Sequence, residues 1–248
     1  MNILVTNDDG IMAEGIHTLA KELQKKHDVT IIAPDSEKSA QSQAVTIGSA
    51  LVVKEVQLEG IENISYSISG TPADCVRVGF DKILEKDIDM VISGTNRGLN
   101  AGMDVLYSGT VSAAIEANIY GKPSVAVSAE VVDGEAKFDF AAKYASEVLE
   151  KIKDQHRYTK LLLNVNMPFY EEIKGIKVCK IGDVVLDYYT TGELENGDKT
   201  LHVAGRNEIE FTEGTDRYYL SNGYITVTPL HYDLTNFELI TRVKEWVL

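Results

Sequence analysis

Ile3-Leu4-Val5-Thr6-Asn7-Asp8-Asp9-Gly10 reads as a short buried strand that ends on two adjacent carboxylates. Neighbouring carboxylates repel each other and are costly to desolvate unless a cation or dense hydrogen bonding compensates. Ligand sites of open α/β sheets lie at the carboxyl ends of strands. Taken alone, the pair is either a polar turn that caps the next helix with one Asp or a metal or phosphate site.

Outward from this stretch, Ile16, Leu19, Ala20 and Leu23 recur at helical spacing, and Val29 to Ile32 reads as a second strand. Strand, helix and strand in that order form a right-handed βαβ unit, which implies a parallel sheet. Leu51 to Leu58 and Ile64 to Ile68 read as a hairpin on or beside the sheet. Thr71-Pro72-Ala73-Asp74 starts a helix, with Pro in its first turn and Val76, Phe80, Ile83 and Leu84 as its apolar face. Met90 to Ile92 is the third core strand, followed by a glycine-rich loop over 93–109 and a helix over 110–120 closed by Gly121. A strand at 124–128, an amphipathic helix from Ala141 to Ile152 and a strand opening at Leu161 complete the pattern.

Beyond Pro168 short strand-like runs and the turn signal Asn196-Gly197-Asp198 indicate a protruding hairpin. Thr235 to Glu238 has capping-box spacing before a terminal helix with Ile240, Val243, Trp246 and Val247 on one face. Such a helix needs a docking surface, on its own subunit or a neighbour. The fold class expected is a Rossmann-like, three-layer α/β/α arrangement with a mainly parallel sheet. The core would span 1–175, and 176–248 would form an oligomerisation hairpin, a returning strand and the terminal helix.

The chain has 248 residues, 44% hydrophobic, which is enough for one sizeable core. Its formal net charge of −14 repels a polyanionic backbone, so duplex nucleic acid is excluded as an expected partner. Cys75 and Cys179 form no C-x-x-C and suit a reducing cytoplasm. The N-terminus lacks a basic region and a long apolar run, so neither a signal peptide nor a membrane span is expected.

Three polar loops follow strands one to three: Asp8-Asp9, Asp35 to Ser39, and Ser93 to Asn100. In a parallel sheet these strand ends share one edge, so the loops should converge in one crevice. Carboxylate, hydroxyl and amide oxygens suit Mg²⁺ or Mn²⁺ rather than zinc. Singly, Asn96 and Asn100 read as turn amides and Ser39 as a solvated hydroxyl; convergence shifts that balance. Ser108-Gly109-Thr110 opens the next helix, where free N–H groups would hold a phosphate or Thr110 would simply cap. No P-loop or G-x-G-x-x-G motif occurs.

The same residues carry a family resemblance. Asn7-Asp8-Asp9-Gly10, Ala33-Pro34 leading to Ser39, Gly70 to Val76, Ser93 to Gly98, Asp104 to Val111, Asn164-Val165-Asn166 and Gly223-Tyr224 to Thr228-Pro229-Leu230 span nearly the whole chain. On these motifs the chain resembles the SurE family of survival-protein nucleotidases. The resemblance implies a metal-dependent 5′-nucleotidase that hydrolyses nucleoside 5′- and 3′-monophosphates, with some exopolyphosphatase activity. It implies one divalent cation per subunit on Asp8, Asp9, Ser39 and Asn96, and phosphate contacts from Asn100, Ser108, Gly109 and Thr110. Asp8, Asp9 and Asn96 would be the catalytic residues. It also implies a homodimer or homotetramer with exchanged C-terminal segments. Two departures stand in the second loop, where Lys38 and Ala40 replace the family's usual Arg and Gly.

Two rival readings remain at this stage. Haloacid-dehalogenase-like phosphatases use an aspartate nucleophile, but their D-x-D-x-[TV] pattern is not the adjacent pair seen here. A non-catalytic nucleotide-binding stress-response module explains the helix terminus but not the converging oxygen ligands. His17, His27, His156, His202 and His231 read as surface or capping residues. Arg97 reads equally as a phosphate contact and as a structural ion pair.

Overall fold

The computed structural model describes residues 1–155 and 161–248. Its strands are β1 (Asn2–Thr6), β2 (Asp28–Pro34), β3 (Val53–Val56), β4 (Ser65–Ile68), β5 (Met90–Arg97), β6 (Ser124–Ala129), β7 (Val131–Val132), β8 (Glu135–Ala136), β9 (Leu162–Met167), β10 (Ile176–Val178), β11 (Asp187–Glu193), β12 (Lys199–Arg206) and β13 (Ile225–Pro229). The α-helices are α1 (Glu14–Leu23), α2 (Pro72–Val78), α3 (Gly109–Ile119), α4 (Phe138–Ile152), α5 (Asp216–Ser221) and α6 (Phe237–Val247). Within the described residues nine strands form one sheet in the order β10-β13-β9-β6-β5-β1-β2-β4-β3. The central run from β9 to β4 is parallel; β13 on β9 and β3 on β4 are the antiparallel joints.

Alternation along β1 explains the layers. Ile3 and Val5 face one way and pack with Leu19 and Leu23 of α1 and Leu149 of α4. Leu4 faces the other way and packs with Val76 of α2 and Ala113 and Ala117 of α3. Side chains on a strand point alternately to opposite faces, so a strand buried on both sides is apolar throughout. The expected three-layer α/β/α fold is therefore the observed one, and the crevice edge carries the ends of β1, β2 and β5.

Several local expectations are corrected. The glycine-rich stretch does not leave the sheet at Ser93: β5 runs on to Arg97, pairing Asn96 with Ser128 and Arg97 with Ala129 after a register shift. Gly94, with φ +136°, permits that shift, because a Cβ there would lie 2.2 Å from the Val127 carbonyl oxygen. α2 ends at Val78, and Gly79–Ile83 continues as a wider π turn. The cap of α3 is Ser108, not Thr110, and the cap of α6 is Asn236, not Thr235. In each case the hydroxyl or amide three residues before an unpaired backbone N–H accepts it.

The hairpin of β11 and β12 pairs only with itself, and α6 buries none of its residues. Ile176–Val178 and Ile225–Pro229, which flank the hairpin in sequence, do join the main sheet. Among the described residues no helix is long and apolar enough to cross a membrane. His156 lies outside the described residues.

α2 carries a complete capping box. Thr71 Oγ1 accepts the Asp74 N–H at 3.1 Å, and Asp74 Oδ2 accepts the Thr71 N–H at 3.0 Å. Asp74 also accepts the Thr46 hydroxyl at 2.7 Å and the Thr46 N–H at 3.1 Å, tying the loop after β2 to the helix. Burial alone would push this carboxyl up, but the bonds from Thr46 and Thr71 outweigh it and hold it below the usual 3.8. Asp74→Ala should therefore cost about 2 kcal/mol. With the folded pKa depressed, that contribution is complete above the unfolded value and is lost as pH falls through the folded one. Urea unfolding of both proteins should give a constant stability gap from neutral pH to about pH 5 and a shrinking gap in stronger acid. A gap that is absent at neutral pH, or that widens in acid, contradicts this.

Candidate functional site

Asp8 lies directly beyond β1 and is buried, 3% exposed. Its neighbour Asn7 closes a tight loop: the Asn7 amide donates to the Gly10 carbonyl at 2.9 Å, and its oxygen accepts the Gly10 N–H at 3.2 Å. Gly10 takes φ +99°, a conformation that favours glycine. Beyond this turn the Asp8 carboxylate meets the start of α3 and the Asp9 carboxylate meets the end of β5.

Three neighbours meet the pair. The Lys38 N–H donates to the Asp8 carbonyl at 2.7 Å. The Arg97 N–H donates to Asp9 Oδ2 at 3.0 Å. The Thr110 hydroxyl donates to Asp8 Oδ1 in a short bond. The expected convergence of three strand-end loops is thus present, with the start of α3 as a fourth wall.

Ser39 and Asn96 stand one residue from these contacts. Ser39 is exposed, and its hydroxyl donates to Glu37 at 2.8 Å. The Asn96 amide nitrogen donates to the Gly98 carbonyl at 2.8 Å. That bond is the turn-amide role, and it uses the nitrogen of the side chain and not Oδ1. Ala40, after Ser39, takes φ +56°, a left-handed conformation costing a residue with a Cβ about 1–2 kcal/mol. The Arg97 guanidinium donates to the Gly134 carbonyl at 2.5 Å, so it serves structure here.

Ser108, Gly109 and Thr110 begin α3. The Ser108 hydroxyl accepts the Val111 N–H at 3.1 Å. Gly109 permits a close approach to the acidic pair: a Cβ there would lie 2.7 Å from Asp8 Cβ. The positive end of α3 therefore lies against Asp8, with the Thr110 hydroxyl aimed at it.

Burial still dominates the electrostatics. It pushes the Asp8 carboxyl up from 3.8 to about 6, against the Thr110 hydrogen bond and with the Asp9 charge adding to the rise. Asp9 is also raised, first by burial and then by Glu37, while the Arg97 N–H opposes. Among the described residues neither carboxylate forms an ion pair with Lys or Arg. A desolvated pair of carboxylates is chemistry that fits a hard divalent cation. Among the described residues no three His, Cys, Asp or Glu side chains gather into a metal-binding group, and the side chains of Ser39 and Asn96 bond to Glu37 and to the Gly98 carbonyl.

Asn100 is buried in a side-chain network. Its amide nitrogen donates to Ser128 Oγ at 2.9 Å, and its backbone N–H donates to Asn166 Oδ1 at 2.8 Å. Beyond it, the Gly102 N–H donates to Asp216 at 2.8 Å, and Arg217 donates to the Ala101 carbonyl and to Asp104, both at 2.8 Å. Arg206 of the hairpin reaches the same Asp104 carboxylate at 2.6 Å. Sequence reasoning missed Ser128, Asp216 and Arg217, because nothing local ties them to residues about thirty or one hundred positions away.

A family model described as Survival protein SurE matches residues 3–187. The chain belongs to the SurE family. A curated relative from Clostridium botulinum (strain Kyoto / Type A2), named 5′-nucleotidase SurE, is 51% identical over 253 residues and covers 100% of both chains. One of the same name from Clostridium tetani is 49% identical over 248 residues, covering 99% of this chain and 100% of its own. The crystal structure of the SurE protein from Aquifex aeolicus matches with a TM-score of 0.87 at 36% identity, covering 99% of each chain. The family and fold expectations are thus borne out.

The close approach of Gly109 to Asp8 generates a stability test. Gly109→Ala should cost about 1–3 kcal/mol, because a backbone segment must move off Asp8. Gly48→Ala, where nothing lies within 4 Å, should stay within about 0.5 kcal/mol. Equal effects of the two substitutions in urea unfolding would contradict the packing described.

Proposed function

We propose that this chain is a metal-dependent 5′-nucleotidase that hydrolyses nucleoside monophosphates to nucleoside and phosphate. The observation that carries the reading is the Asp8–Asp9 pair, with Asp8 buried and, among the described residues, no ion pair to either carboxylate, at a strand-end crevice of a chain 51% identical to a relative named 5′-nucleotidase SurE. Activity on 3′-monophosphates and on polyphosphate belongs to the same proposal.

Asp8, Asp9, Ser39 and Asn96 would hold one Mg²⁺ or Mn²⁺ per subunit. Such an ion, when bound, neutralises charge on the phosphoryl group and acidifies water. The N–H groups at the start of α3, with Ser108, Gly109 and Thr110, would bind phosphoryl oxygens, as helix N-termini do. Asn100 would present its side chain to the same group. Asp9, less buried than Asp8 and raised from its ordinary value by burial, would orient the attacking water and take its proton. Phosphoryl transfer asks for positioning and charge neutralisation more than for covalent chemistry, and this set supplies both.

The segment 176–248 would join subunits into a dimer or tetramer. The exposure of Trp246, Phe237 and the outer faces of the hairpin supports that reading. The free Cys75 and Cys179 support a reducing compartment, the cytoplasm.

Phosphate release from AMP, GMP and UMP should require Mg²⁺ or Mn²⁺ and cease with EDTA. Asp9→Asn should lower kcat/KM about 10³-fold or more while leaving unfolding within about 0.5 kcal/mol of wild type. No release with any metal would favour the non-catalytic binding module, and a metal-loaded Asp9→Asn protein of near-wild-type activity would remove the role given to Asp9.

A further inference from the structure

Asn164 and Asn166 lie two residues apart on β9, so their side chains share one face of the sheet. Leu162, two residues earlier on that face, packs with Ala126 of β6 and with Val111 and Ala114 of α3. Val165, between the two asparagines, faces the opposite core. The α3-facing side of β9 thus changes from apolar to amide toward its carboxyl end. Pairing of β9 with β6 sets Ser128 beside Asn166.

All three polar residues, Ser128, Asn164 and Asn166, are fully buried, and they converge on one residue. Asn164 Nδ2 donates to the Asn100 carbonyl at 2.7 Å, and Asn166 Nδ2 donates to the same oxygen at 3.1 Å. Asn166 Oδ1 accepts the Asn100 N–H, and Ser128 Oγ accepts the Asn100 side-chain amide. The backbone and side chain of Asn100 are therefore all fixed by side chains from two neighbouring strands.

Stability alone does not call for this arrangement. Burying polar side chains gains little over well-packed apolar ones, and each buried atom left unpaired costs free energy. Asn164 Oδ1 is such an unpaired atom. Fixing a residue at the strand-end crevice is a use that apolar side chains would not serve.

We propose that Asn164 and Asn166 are positioning residues that, with Ser128, hold Asn100 in place for a phosphoryl group. This rests on the assignment of Asn100 to the substrate phosphate. The clamp leaves the Asn100 side chain little rotamer freedom, so the ordering is complete before substrate arrives.

The test combines hydrogen exchange with a double-mutant cycle on the full chain. Asn166→Ala should speed amide exchange across 98–104 at least tenfold, without metal or substrate. It should lower kcat/KM for AMP about 10–100-fold, and Asn100→Ala should do the same. The double variant should be no more than about threefold worse than Asn100→Ala, because both changes remove one function. Asn164→Ala removes a single bond to Asn100; it should give a smaller change of the same kind and serves if Asn166→Ala does not fold. Unchanged exchange over 98–104, multiplicative losses in the cycle, or wild-type activity of Asn100→Ala would each overturn the proposal. A wild-type protein that releases no phosphate from any nucleotide would instead overturn the functional reading, and the exchange result would still decide the clamp.

Discussion

The molecule depends on the contact of Asp8 with the first turn of α3. A carboxylate at the end of a central strand is desolvated, and its pKa rises to about 6. Thr110 and the helix end compensate part of that cost. The contact requires no side chain at Gly109, and it requires β1 and α3 to meet at one height above the sheet. Packing of Leu4 against Ala113 and Ala117 supplies that alignment. The same core that stabilises the fold thereby brings a costly charge to the carboxyl edge of the sheet.

Around this contact the site is built from captured loops. Arg97 and Lys38 reach the acidic pair through backbone N–H groups, so their side chains do not decide that geometry. Residues 100–104 lie between β5 and α3 and are held at Asn100, Ala101, Gly102 and Asp104 by side chains remote in sequence. Asp104 also receives Arg206 from the hairpin, and its carbonyl accepts the Ser108 N–H at 3.1 Å. A chain of contacts thus runs from the exposed hairpin to the start of α3.

Much of this was legible in the sequence, for physical reasons. The apolar period of β1, α1 and β2 leaves one compatible fold, and strand ends in a parallel sheet converge wherever their side chains point. The meeting of the segments after β1 and β2 with the end of β5 could therefore be expected, and the Lys38 and Arg97 contacts show it. The bulge at Gly94 was not legible, because a glycine before polar residues signals a loop as readily as an interrupted strand. The caps at Ser108 and Asn236 were displaced by one or two residues, since adjacent polar side chains compete for the same N–H. The partners of Asn100 were hidden for a different reason. Asn164 and Asn166 stood in the sequence only as part of a family motif; their contact with Asn100 appears once β9 pairs with β6 and Asn166 lies opposite Ser128.

Calorimetric titration of metal-stripped protein with Mn²⁺ tests the central claim most directly, that the Asp8–Asp9 pair is a cation site. The account predicts one Mn²⁺ per chain in the wild type and binding weakened at least about 100-fold in Asp8→Asn, with the fold retained. Equal affinity in the two proteins, or no Mn²⁺ bound by the wild type, would contradict it.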